Sequence, residues 1–484
     1  ADMIAQVIVD VVHTNVDRPF SYLIPEGMEV EQGSRVSVPL GKRRVDGFVV
    51  SLLEEDQLPA DVPLQKLRPI AAVLDDYPAL LPQLLTLARQ LAEENHCPLS
   101  ETLRLMLPAA MRTGRIQQKK ELCAVLCPGV DAEKEADALR RAPKRAMVLR
   151  LLKDGQPHGI GQLSQLVSNP RDALKALGEQ GLVTLTEREV FRAPDTEIEP
   201  ARTTAPPLTD DQREALDSMI PSLEKGEGAF LLHGVTGSGK TEVYLSAIER
   251  VLAAGRSACV LVPEISLTAQ TVGRFRSRFG ETVAVFHSRL SAGERLDQWD
   301  MVSSGAARVV VGARSALFCP LSDLGLIIID EEHETSYKQG SSPRYHAREV
   351  AAEMARRYRC PLVLGSATPS AEALDRCRRG TYGGATWTRV EMPERPGHAV
   401  LPTVRIADLR REFAHGSRSM FSKPLMEGLE RVVERREKAV LLHNRRGFAP
   451  FLMCRECGCV PTCNHCSTAL TYHERTHTLQ CHTC

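Results

Sequence analysis

The stretch Phe230-Leu231-Leu232-His233-Gly234-Val235-Thr236-Gly237-Ser238-Gly239-Lys240-Thr241 decides the fold of the middle of the chain. Its first three residues predict a short buried strand and the pattern after Thr241 predicts a helix, so G-x-x-x-x-G-K-T lies where a strand turns into a helix N-terminus. At such a turn, glycines let backbone N–H groups surround a polyanion, and the helix dipole favours negative charge. A chance glycine-rich turn is the alternative. The complete motif favours a nucleotide site, in which Lys240 reaches the outer phosphates and Thr241 offers a hydroxyl to magnesium.

The composition is ordinary for a soluble protein with several domains. At 484 residues the chain is too long for one core, and its 43% hydrophobic and 25% charged residues are usual for globular proteins. The 61 basic residues balance 61 acidic ones, so any nucleic-acid surface must be a local basic patch. No early apolar run is long enough to span a bilayer, and the N-terminus lacks the order of a signal peptide. We therefore predict a cytoplasmic protein without membrane contact.

Residues 1–108 carry the short alternating patterns of a β-rich domain. Turn signals separate four strand patterns, which lie at Ile4–Val12, Pro19–Pro25, Arg35–Leu40 and Gly47–Leu52. The pattern becomes helical from residue 80 to residue 107. Phe20 and Tyr22 stand near basic residues and could stack on a nucleic-acid end, but aromatic residues in strands more often belong to the core.

Residues 109–142 are charged and weakly periodic, and we predict a linker with helical pieces. Residues 143–193 resemble a winged helix. Their pattern predicts three short helices over 144–153, 160–167 and 170–180, and then a hairpin from 181–185 and 190–191. Arg171 and Lys175 lie one turn apart on the third helix, which would be either a DNA-reading face or a wedge that fixes domain geometry. A linker rich in Pro and Thr follows over 194–207.

Residues 208–393 alternate strand and helix signals, which indicates a parallel α/β sheet covered by helices. Six nearly apolar runs are the candidate strands: Ala229–Leu232, Ala258–Val262, Val283–Phe286, Arg308–Val311, Leu326–Ile329 and Leu362–Leu364. The motifs fall at the C-terminal ends of these runs, where ligands collect in such sheets.

Polar residues at these strand ends complete the predicted nucleotide site. Asp330 can hold magnesium, and Glu331 can orient or deprotonate the attacking water. An amide upstream of the phosphate loop, Gln212, can read adenine. The hydroxyls of Ser366 and Thr368 could bond to the acidic motif and link nucleotide state to domain movement. The predicted ATP and Mg²⁺ site therefore consists of Gln212, Gly234, Gly237, Ser238, Gly239, Lys240, Thr241, Asp330, Glu331, Ser366 and Thr368.

The motifs G-x-x-x-x-G-K-T, D-E-E-H and S-A-T, in this order and spacing, resemble those of a superfamily 2 helicase. Segments 262–271 and 312–318 are similar to one family within it, the PriA family of replication-restart DNA helicases. The resemblance covers nearly the whole chain. It implies a multidomain α/β fold, with a 3′-end-binding domain, a winged helix and a RecA-like lobe over 208–393. It also implies the start of a second lobe over 394–451 and a zinc-binding region over 452–484.

The resemblance further implies where DNA binds. An aromatic-rich loop that senses DNA and couples it to hydrolysis is matched by Tyr337, Lys338 and Tyr345. A pocket for the 3′ end of a nascent strand is matched by Phe20, Tyr22, Gly41 and Arg68. Ser21 stands where the family commonly has an aspartate, and this weakens the hydrogen bonds expected to the terminal nucleotide.

Seven of the 14 cysteines lie between Cys454 and Cys484, and six of these form C-x-x-C pairs. The pairs Cys463–Cys466 and Cys481–Cys484 are separated by 14 residues, close to the spacing of a complete four-thiolate zinc site. The pair Cys454–Cys457 is half of another site, which in the related family a later pair completes. Alternative ligands are Cys459, His465, His473, His477 and His482. The seven scattered cysteines are predicted to be reduced thiols.

The motifs with which a second lobe completes the ATP site are missing after Pro450, so we expect a fragment that ends inside the zinc insertion. The resemblance implies an ATP-dependent 3′-to-5′ DNA helicase that recognises stalled or abandoned forks and initiates primosome assembly, with turnover expected of the longer protein. The implied partners are forked and single-stranded DNA, single-stranded DNA-binding protein, and primosome and helicase-loader proteins. A non-catalytic fork-binding and docking scaffold and an RNA helicase stay open as alternatives. Fork-stimulated ATP hydrolysis distinguishes the DNA helicase from the scaffold. Competition between fork DNA and structured RNA distinguishes it from the RNA helicase.

Overall fold

The computed structural model divides the chain into two compact units, Ala1–Ala399 and Val400–Cys484. It describes residues 3–58, 62–109, 111, 120–189, 203–398, 400, 402–416, 419–442, 452–454, 456–464, 468–473 and 477–481. Within these ranges, no helix combines the length and the apolar composition that a membrane span requires.

A six-stranded sheet forms the N-terminal layer, and it confirms the predicted β-rich domain. Its strands are β1 Met3–Val9, β2 Phe20–Leu23, β3 Arg35–Leu40, β4 Arg43–Glu54, β5 Arg68–Pro69 and β6 Ala72–Val73. The strand order is β5-β2-β1-β4-β3-β6, and β1 is antiparallel to both of its neighbours. Small and β-branched side chains such as Ala5, Val7 and Val36 fill one core of this layer because they fit a pleated, covered surface.

Two helices, α1 Pro82–Glu94 and α2 Leu99–Leu105, follow the sheet. α1 begins with proline, which is tolerated there because the first N–H of a helix has no partner within it. Its residues Leu84, Leu87 and Leu91 recur at helical spacing and are buried in a core that they share with Phe48 of β4. The predicted helical pattern from residue 80 to residue 107 therefore resolves into two helices.

The next layer contains a three-stranded sheet and four helices. Its elements are β7 Lys120–Leu126, α3 Ala132–Ala138, α4 Pro143–Leu151, β8 His158–Gly159, α5 Ile160–Leu166, α6 Pro170–Glu179 and β9 Val183–Glu189. The three predicted helices are present. The predicted linker with helical pieces over 109–142 contains one such piece, α3, but its residues 120–126 form a strand, β7, which pairs with β9 from Lys120↔Glu189 to Leu126↔Val183. β9 thus pairs with an earlier strand, and residues 190–191 of the predicted hairpin lie outside the described residues.

Residues 203–209 have no regular structure, and the rest of the predicted 194–207 linker lies outside the described residues. An eight-stranded sheet comes next. Its strands are β10 Ala229–Gly234, β11 Ser257–Leu261, β12 Val283–Phe286, β13 Val309–Gly312, β14 Leu324–Ile329, β15 Leu362–Ser366, β16 Thr381–Tyr382 and β17 Ala385–Met392. The order is β12-β13-β11-β14-β15-β10-β17-β16, and every pairing is parallel except β16 with β17. All six predicted strands are found.

Helices cover this sheet, as expected for buried parallel strands. They are α7 Asp210–Lys225, α8 Lys240–Ala253, α9 Ala269–Phe279, α10 Ala292–Ser303, α11 Ala347–Tyr358 and α12 Ala371–Arg379. Two buried clusters lie on the two faces of the sheet: Leu231, Ile327 and Leu364 belong to one, and Leu232, Ile328 and Val363 belong to the other. The alternation along each strand confirms that the apolar runs are covered on both sides.

The described residues of the unit Val400–Cys484 form fewer regular elements. They are α13 Leu409–Ala414, α14 Lys423–Glu434, β18 Thr471–His473 and β19 Thr478–Gln480, and the two strands pair antiparallel. Ser422 is the N-cap of α14, and its side chain accepts a hydrogen bond from the backbone N–H of Leu425. The predicted second-lobe signature at 444–450 lies outside the described residues.

One glycine of the sheet gives a direct stability prediction. A Cβ at Gly365 of β15 would overlap the hydroxyl of Tyr244, which is fully enclosed and cannot swing away. We expect Gly365→Ala to cost about 3 kcal/mol and to lower the melting temperature of this layer by about 5–10 °C, because overpacking here also displaces a hydrogen-bonded hydroxyl. Gly273→Ala in α9 is the control, since a Cβ there meets nothing within 4 Å. Equal melting temperatures for the two variants would contradict the prediction.

Candidate functional site

The phosphate loop joins β10 to α8. Gly237 and Gly239 have φ angles of +83° and +84°, a region that residues with a Cβ rarely adopt, so the loop requires glycine at both positions. Lys240 donates from Nζ to the carbonyl of Gly234 at 3.0 Å, and Thr241 lies in the first turn of α8. The Oγ of Ser238 is buried without a hydrogen-bond partner among the described residues. A buried, unpaired hydroxyl next to free helix N–H groups is an arrangement that fits a bound polyanion.

Gln212 lies directly beneath this loop. Its Oε1 accepts from the backbone of Thr209 at 2.9 Å, completing a capping box at the start of α7, and its Nε2 lies 3.4 Å from the carbonyls of Ser238 and Gly239. The amide therefore contacts the phosphate loop itself. The reading of adenine by Gln212 stays a prediction.

The acidic pair follows β14, at the same edge of the sheet. Asp330 accepts a hydrogen bond from the Tyr244 hydroxyl at 2.8 Å, and its backbone carbonyl accepts from the Tyr337 hydroxyl at 2.6 Å. Burial raises the pKa of Asp330, against the opposing pull of the Tyr244 hydrogen bond and the Lys240 charge. Burial and then the charge of Asp330 raise the pKa of Glu331. The raised pKa suits Glu331 to accept a proton.

Glu331 also has an unusual backbone. Its φ of +47° places a non-glycine residue in the left-handed region, which costs conformational energy. Strain of this kind is concentrated at functional sites. About one third of its side chain is exposed (35%), so the carboxylate can meet a substrate while its backbone stays fixed.

The next two residues of the acidic motif connect it to β15 and α12. His333 Nδ1 lies 2.7 Å from the Ser366 Oγ, which also accepts the backbone N–H of Thr368 at 3.0 Å. The carboxylate of Glu332 is fully buried and accepts from the backbone and the hydroxyl of Ser370, at 2.6 and 2.9 Å. The expected hydroxyl-to-acid bond is therefore made by Ser370, whereas Ser366 pairs with histidine. Sequence reasoning missed Ser370, although its position before an amphipathic run is typical of an N-cap.

A buried arginine completes this network. Arg348 donates to Glu332 at 3.0 Å and to the Ser370 hydroxyl at 2.9 Å. Both charged side chains are almost fully enclosed, with exposures of 6% and 0%. Removing one partner of such a pair would leave a buried charge, so the two positions depend on each other.

The two tyrosines of the predicted aromatic-rich loop are buried, although much of the loop is exposed. Tyr337 and Tyr345 are 1% and 4% exposed, and the Tyr345 ring contacts Phe318 edge to face at 5.2 Å between centroids. Neither ring is exposed for stacking on bases in this conformation. Lys338 is exposed, and its Nζ donates to the carbonyl of Arg344. DNA binding by this loop stays a prediction. Lys338 would contact the DNA directly, and the two buried tyrosines would act through the residues that they contact.

A groove of about 280 Å³ lies beside that loop, at the C-terminal ends of four strands. Its lining residues are Val262, Pro263, Glu264, His287, Ser288, Arg295, Ala313, Arg314, Ser315, Ser336 and Tyr337. Arg314 donates to the carbonyls of Ser336 and Lys338 at 2.8 and 2.9 Å and so fixes the loop against the groove. Sequence reasoning singled out segments 262–271 and 312–318, but it gave no signal for the lining residues of 287–295 and none that these parts converge, because the lining comes from separate loops and from α10.

The N-terminal sheet brings together the residues of the predicted end-binding pocket. Tyr22 pairs with Arg68 across the parallel strands β2 and β5, and Arg68 donates to the carbonyl of Gly41 at 2.7 Å. Phe20 is half-buried, and the Arg18 guanidinium lies 5.4 Å from its ring centroid. Tyr22 is buried, donates to the Pro39 carbonyl at 3.0 Å and has a pKa raised by burial. Tyr22 thus supports the pocket from the core.

Ser21 points to the opposite side of β2. Its hydroxyl accepts from Gln6 of the neighbouring strand β1 at 2.7 Å. The side chain is therefore part of a cross-strand pair, as the alternation of a strand requires for a residue between Phe20 and Tyr22.

Comparison with known proteins tests the predicted family. The family model of the PriA 3′DNA-binding domain (3′BD) matches residues 6–108, and that of the DEAD/DEAH box helicase matches residues 209–377. Replication restart protein PriA of Bacillus subtilis (strain 168) is 39% identical, over 99% of this chain and 67% of its own length. The chain belongs to the PriA family. The PriA protein of Synechocystis sp. (strain ATCC 27184 / PCC 6803 / Kazusa) is 35% identical, over 96% of this chain and 64% of its own.

The chain spans about two thirds of the length of these PriA relatives. The two matched family models describe a DNA-binding domain and a helicase domain. They confirm the predicted fold class, in which a β-rich DNA-binding domain precedes a P-loop helicase lobe. A solved structure of RecG bound to three-way DNA junction is 21% identical and covers 48% of this chain and 32% of its own, with a TM-score of 0.29, which is too distant to carry an argument.

The cysteine-rich region has one feature that fits the predicted zinc site. Backbone N–H groups of Cys457 and Glu456 face the Cys454 sulfur and lower the pKa of this exposed thiol, and thiolates are the form that binds zinc. Cys463 donates its backbone N–H to the Thr468 carbonyl at 2.8 Å, next to the antiparallel bridge between Thr462 and Ala469. Cys466 and Cys484 lie outside the described residues. Among the described residues, no three or more potential metal ligands lie close together. Zinc binding by the six cysteines stays a prediction.

Proposed function

We propose that this chain binds fork DNA and ATP, and that the intact protein is an ATP-dependent 3′-to-5′ DNA helicase. It recognises stalled or abandoned replication forks and initiates replication restart by primosome assembly. One observation carries the nucleotide part of this proposal. Tyr244, one turn beyond Lys240 on α8, donates a 2.8 Å hydrogen bond to Asp330, so the helix of the phosphate loop and the acidic strand end form one rigid site.

The protein groups in this site divide the work of hydrolysis. Backbone N–H groups of the phosphate loop and Lys240 hold and stabilise the phosphate oxygens as negative charge shifts between them. Thr241 and Asp330 would hold magnesium, which when bound neutralises part of the phosphate charge. Glu331, with its raised pKa, orients the attacking water and takes its proton.

A second set of contacts couples this site to movement. The hydrogen bond between His333 and Ser366 joins the acidic motif to the S-A-T segment, and the buried Glu332 joins it to Ser370 at the start of α12. These buried hydrogen bonds form only at specific distances and angles between donor and acceptor. A shift in the position of the acidic motif therefore moves the adjoining ends of β15 and α12 with it.

Two surfaces are proposed to hold DNA. The groove next to Arg314 lies at the strand ends of the same layer, so a single strand bound there contacts the loop whose Tyr337 bonds to Asp330. The pocket formed by Phe20, Gly41 and Arg68 offers a ring face and a guanidinium to a nucleotide at a 3′ end. Single-stranded DNA-binding protein and the primosome and helicase-loader proteins are the proposed protein partners, in a cytoplasmic setting.

The experiment compares ATP hydrolysis and strand separation by the intact protein on three substrates: a DNA fork, the same fork with its 3′ end blocked by phosphate, and a structured RNA. We expect hydrolysis to be stimulated most by the open fork and unwinding to require a 3′ single-stranded loading strand. Fork binding without stimulated hydrolysis would support a scaffold instead. Equal stimulation by structured RNA would favour an RNA helicase.

A further inference from the structure

The segment that follows β17 lies directly against the phosphate loop. The Met392 carbonyl at the end of the strand accepts the backbone N–H of Val235 at 3.1 Å. Three residues later, Arg395 donates from Nε to the Thr236 carbonyl at 2.7 Å. Between them, the backbone N–H of Glu394 donates to the side chain of Asp211 at 3.2 Å. The segment 393–396 is thus attached both to the loop and to the start of α7.

Its side chains cover the two left-handed glycines of the loop. Atoms of Arg395 lie 3.6–4.0 Å from the position that a Cβ would take at Gly237, and the Cγ of Pro396 lies 3.8 Å from that position at Gly239. On another side, the buried amide of Gln212 approaches the carbonyls of Ser238 and Gly239. Two side chains distant in sequence therefore hold three of the loop carbonyls.

Holding these carbonyls determines where the neighbouring N–H groups point. In a trans peptide the C=O of one residue and the N–H of the next are antiparallel. A Thr236 carbonyl drawn toward Arg395 turns the N–H of Gly237 the opposite way, and Gln212 does the same for the N–H groups of Gly239 and Lys240. These N–H groups are the ones that cradle phosphate in a loop of this type.

We propose that Arg395 is a positioning residue for nucleotide binding, which presets the phosphate loop by holding the Thr236 carbonyl. This inference rests on the proposed ATP site and extends it to the segment through which the chain leaves the α/β layer. A loop that is already in its binding conformation loses less conformational freedom when a nucleotide binds. Arg395 therefore acts on nucleotide affinity rather than on the chemical step.

The test uses the intact protein with Arg395→Ala and Arg395→Lys. The control is Arg378→Ala, which removes an exposed arginine of α12 that pairs only with Asp375 among the contacts described for it. Equilibrium binding and dissociation of fluorescent ADP are measured, together with kcat and KM for ATP on fork DNA. We expect Arg395→Ala to weaken ADP binding and raise KM about tenfold with kcat within about twofold, because a hydrogen bond from a charged donor is lost. Arg395→Lys should recover part of the affinity, and Arg378→Ala should match the unaltered protein.

The outcomes separate this inference from the proposed function. An unaltered protein that binds neither ADP nor ATP would overturn both. If the unaltered protein binds nucleotide and Arg395→Ala binds it equally well, the inference alone fails. A fall in kcat with unchanged KM would also overturn it, since Arg395 would then act on hydrolysis. If the alanine variant does not fold, a lysine variant with unaltered ADP affinity and dissociation rate would likewise overturn it.

Discussion

Replacement of Lys240 by alanine is expected to lower fork-stimulated ATP hydrolysis by at least about a hundredfold, the usual loss when one group that stabilises transition-state charge is removed. Lys240 Nζ is held 3.0 Å from the Gly234 carbonyl at the mouth of the phosphate loop, so its charge is already in place before a nucleotide arrives. The variant should keep its fold, because the change removes one part-buried hydrogen bond, from Lys240 to the Gly234 carbonyl. The rate of phosphate release on fork DNA is the measurement.

Lys225→Ala is the matched control for this prediction. Lys225 is an exposed lysine at the C-terminal end of α7, so its loss removes the same charge without touching the loop. Its hydrolysis rate should equal that of the unaltered protein. Hydrolysis by Lys240→Ala at the unaltered rate would remove the phosphate loop from the catalytic site.

Replacement of Glu331 by glutamine is expected to lower kcat about a hundredfold while ATP affinity stays within about threefold. The change keeps the size and the strained backbone of Glu331 but removes its ability to accept a proton, and general-base catalysis contributes a factor of this order. ATP binding should persist because the phosphate loop does the binding. Single-turnover hydrolysis and nucleotide titration measure the two quantities separately.

Glu334→Gln is the control for Glu331, since it removes a carboxylate three residues further along the same loop. It should leave kcat nearly unchanged. If Glu331→Gln weakened ATP binding as strongly as it slowed hydrolysis, Glu331 would serve nucleotide binding rather than water activation.

Residues with a chemical or periodic signature were predictable from the sequence. The phosphate loop, the acidic pair and the six apolar strands carry such signatures, because strands covered on both faces must be continuously apolar. β17 was missed because its sequence, A-T-W-T-R-V-E-M, alternates and only Trp387 and Met392 are buried. Near the edge of the sheet, partial exposure removes the apolar run from which a parallel strand is recognised.

The groups that hold the site together were not predictable in this way. Tyr244, Ser370 and Arg395 act through contacts with residues 86, 38 and 159 positions away in sequence, and no local pattern encodes such partners. Tyr337 and Tyr345 show the converse case. Their family motif indicates a functional loop, but whether a ring in that loop is buried or exposed depends on tertiary packing.

The pairing of β7 with β9 has a consequence for how the protein is made. Lys120 and Glu189 are the outermost partners of this ladder, so β7 leaves the ribosome more than sixty residues before its partner strand. During that interval β8 can pair with one edge of β7, at Cys123↔Gly159 and Ala124↔His158, but the edge that β9 covers stays unpaired. The helices between β7 and β9 can already form from local contacts. The ladder between β7 and β9 is complete only after residue 189 has emerged, and a nascent chain stopped near residue 180 should expose this edge of β7 to proteases and chaperones.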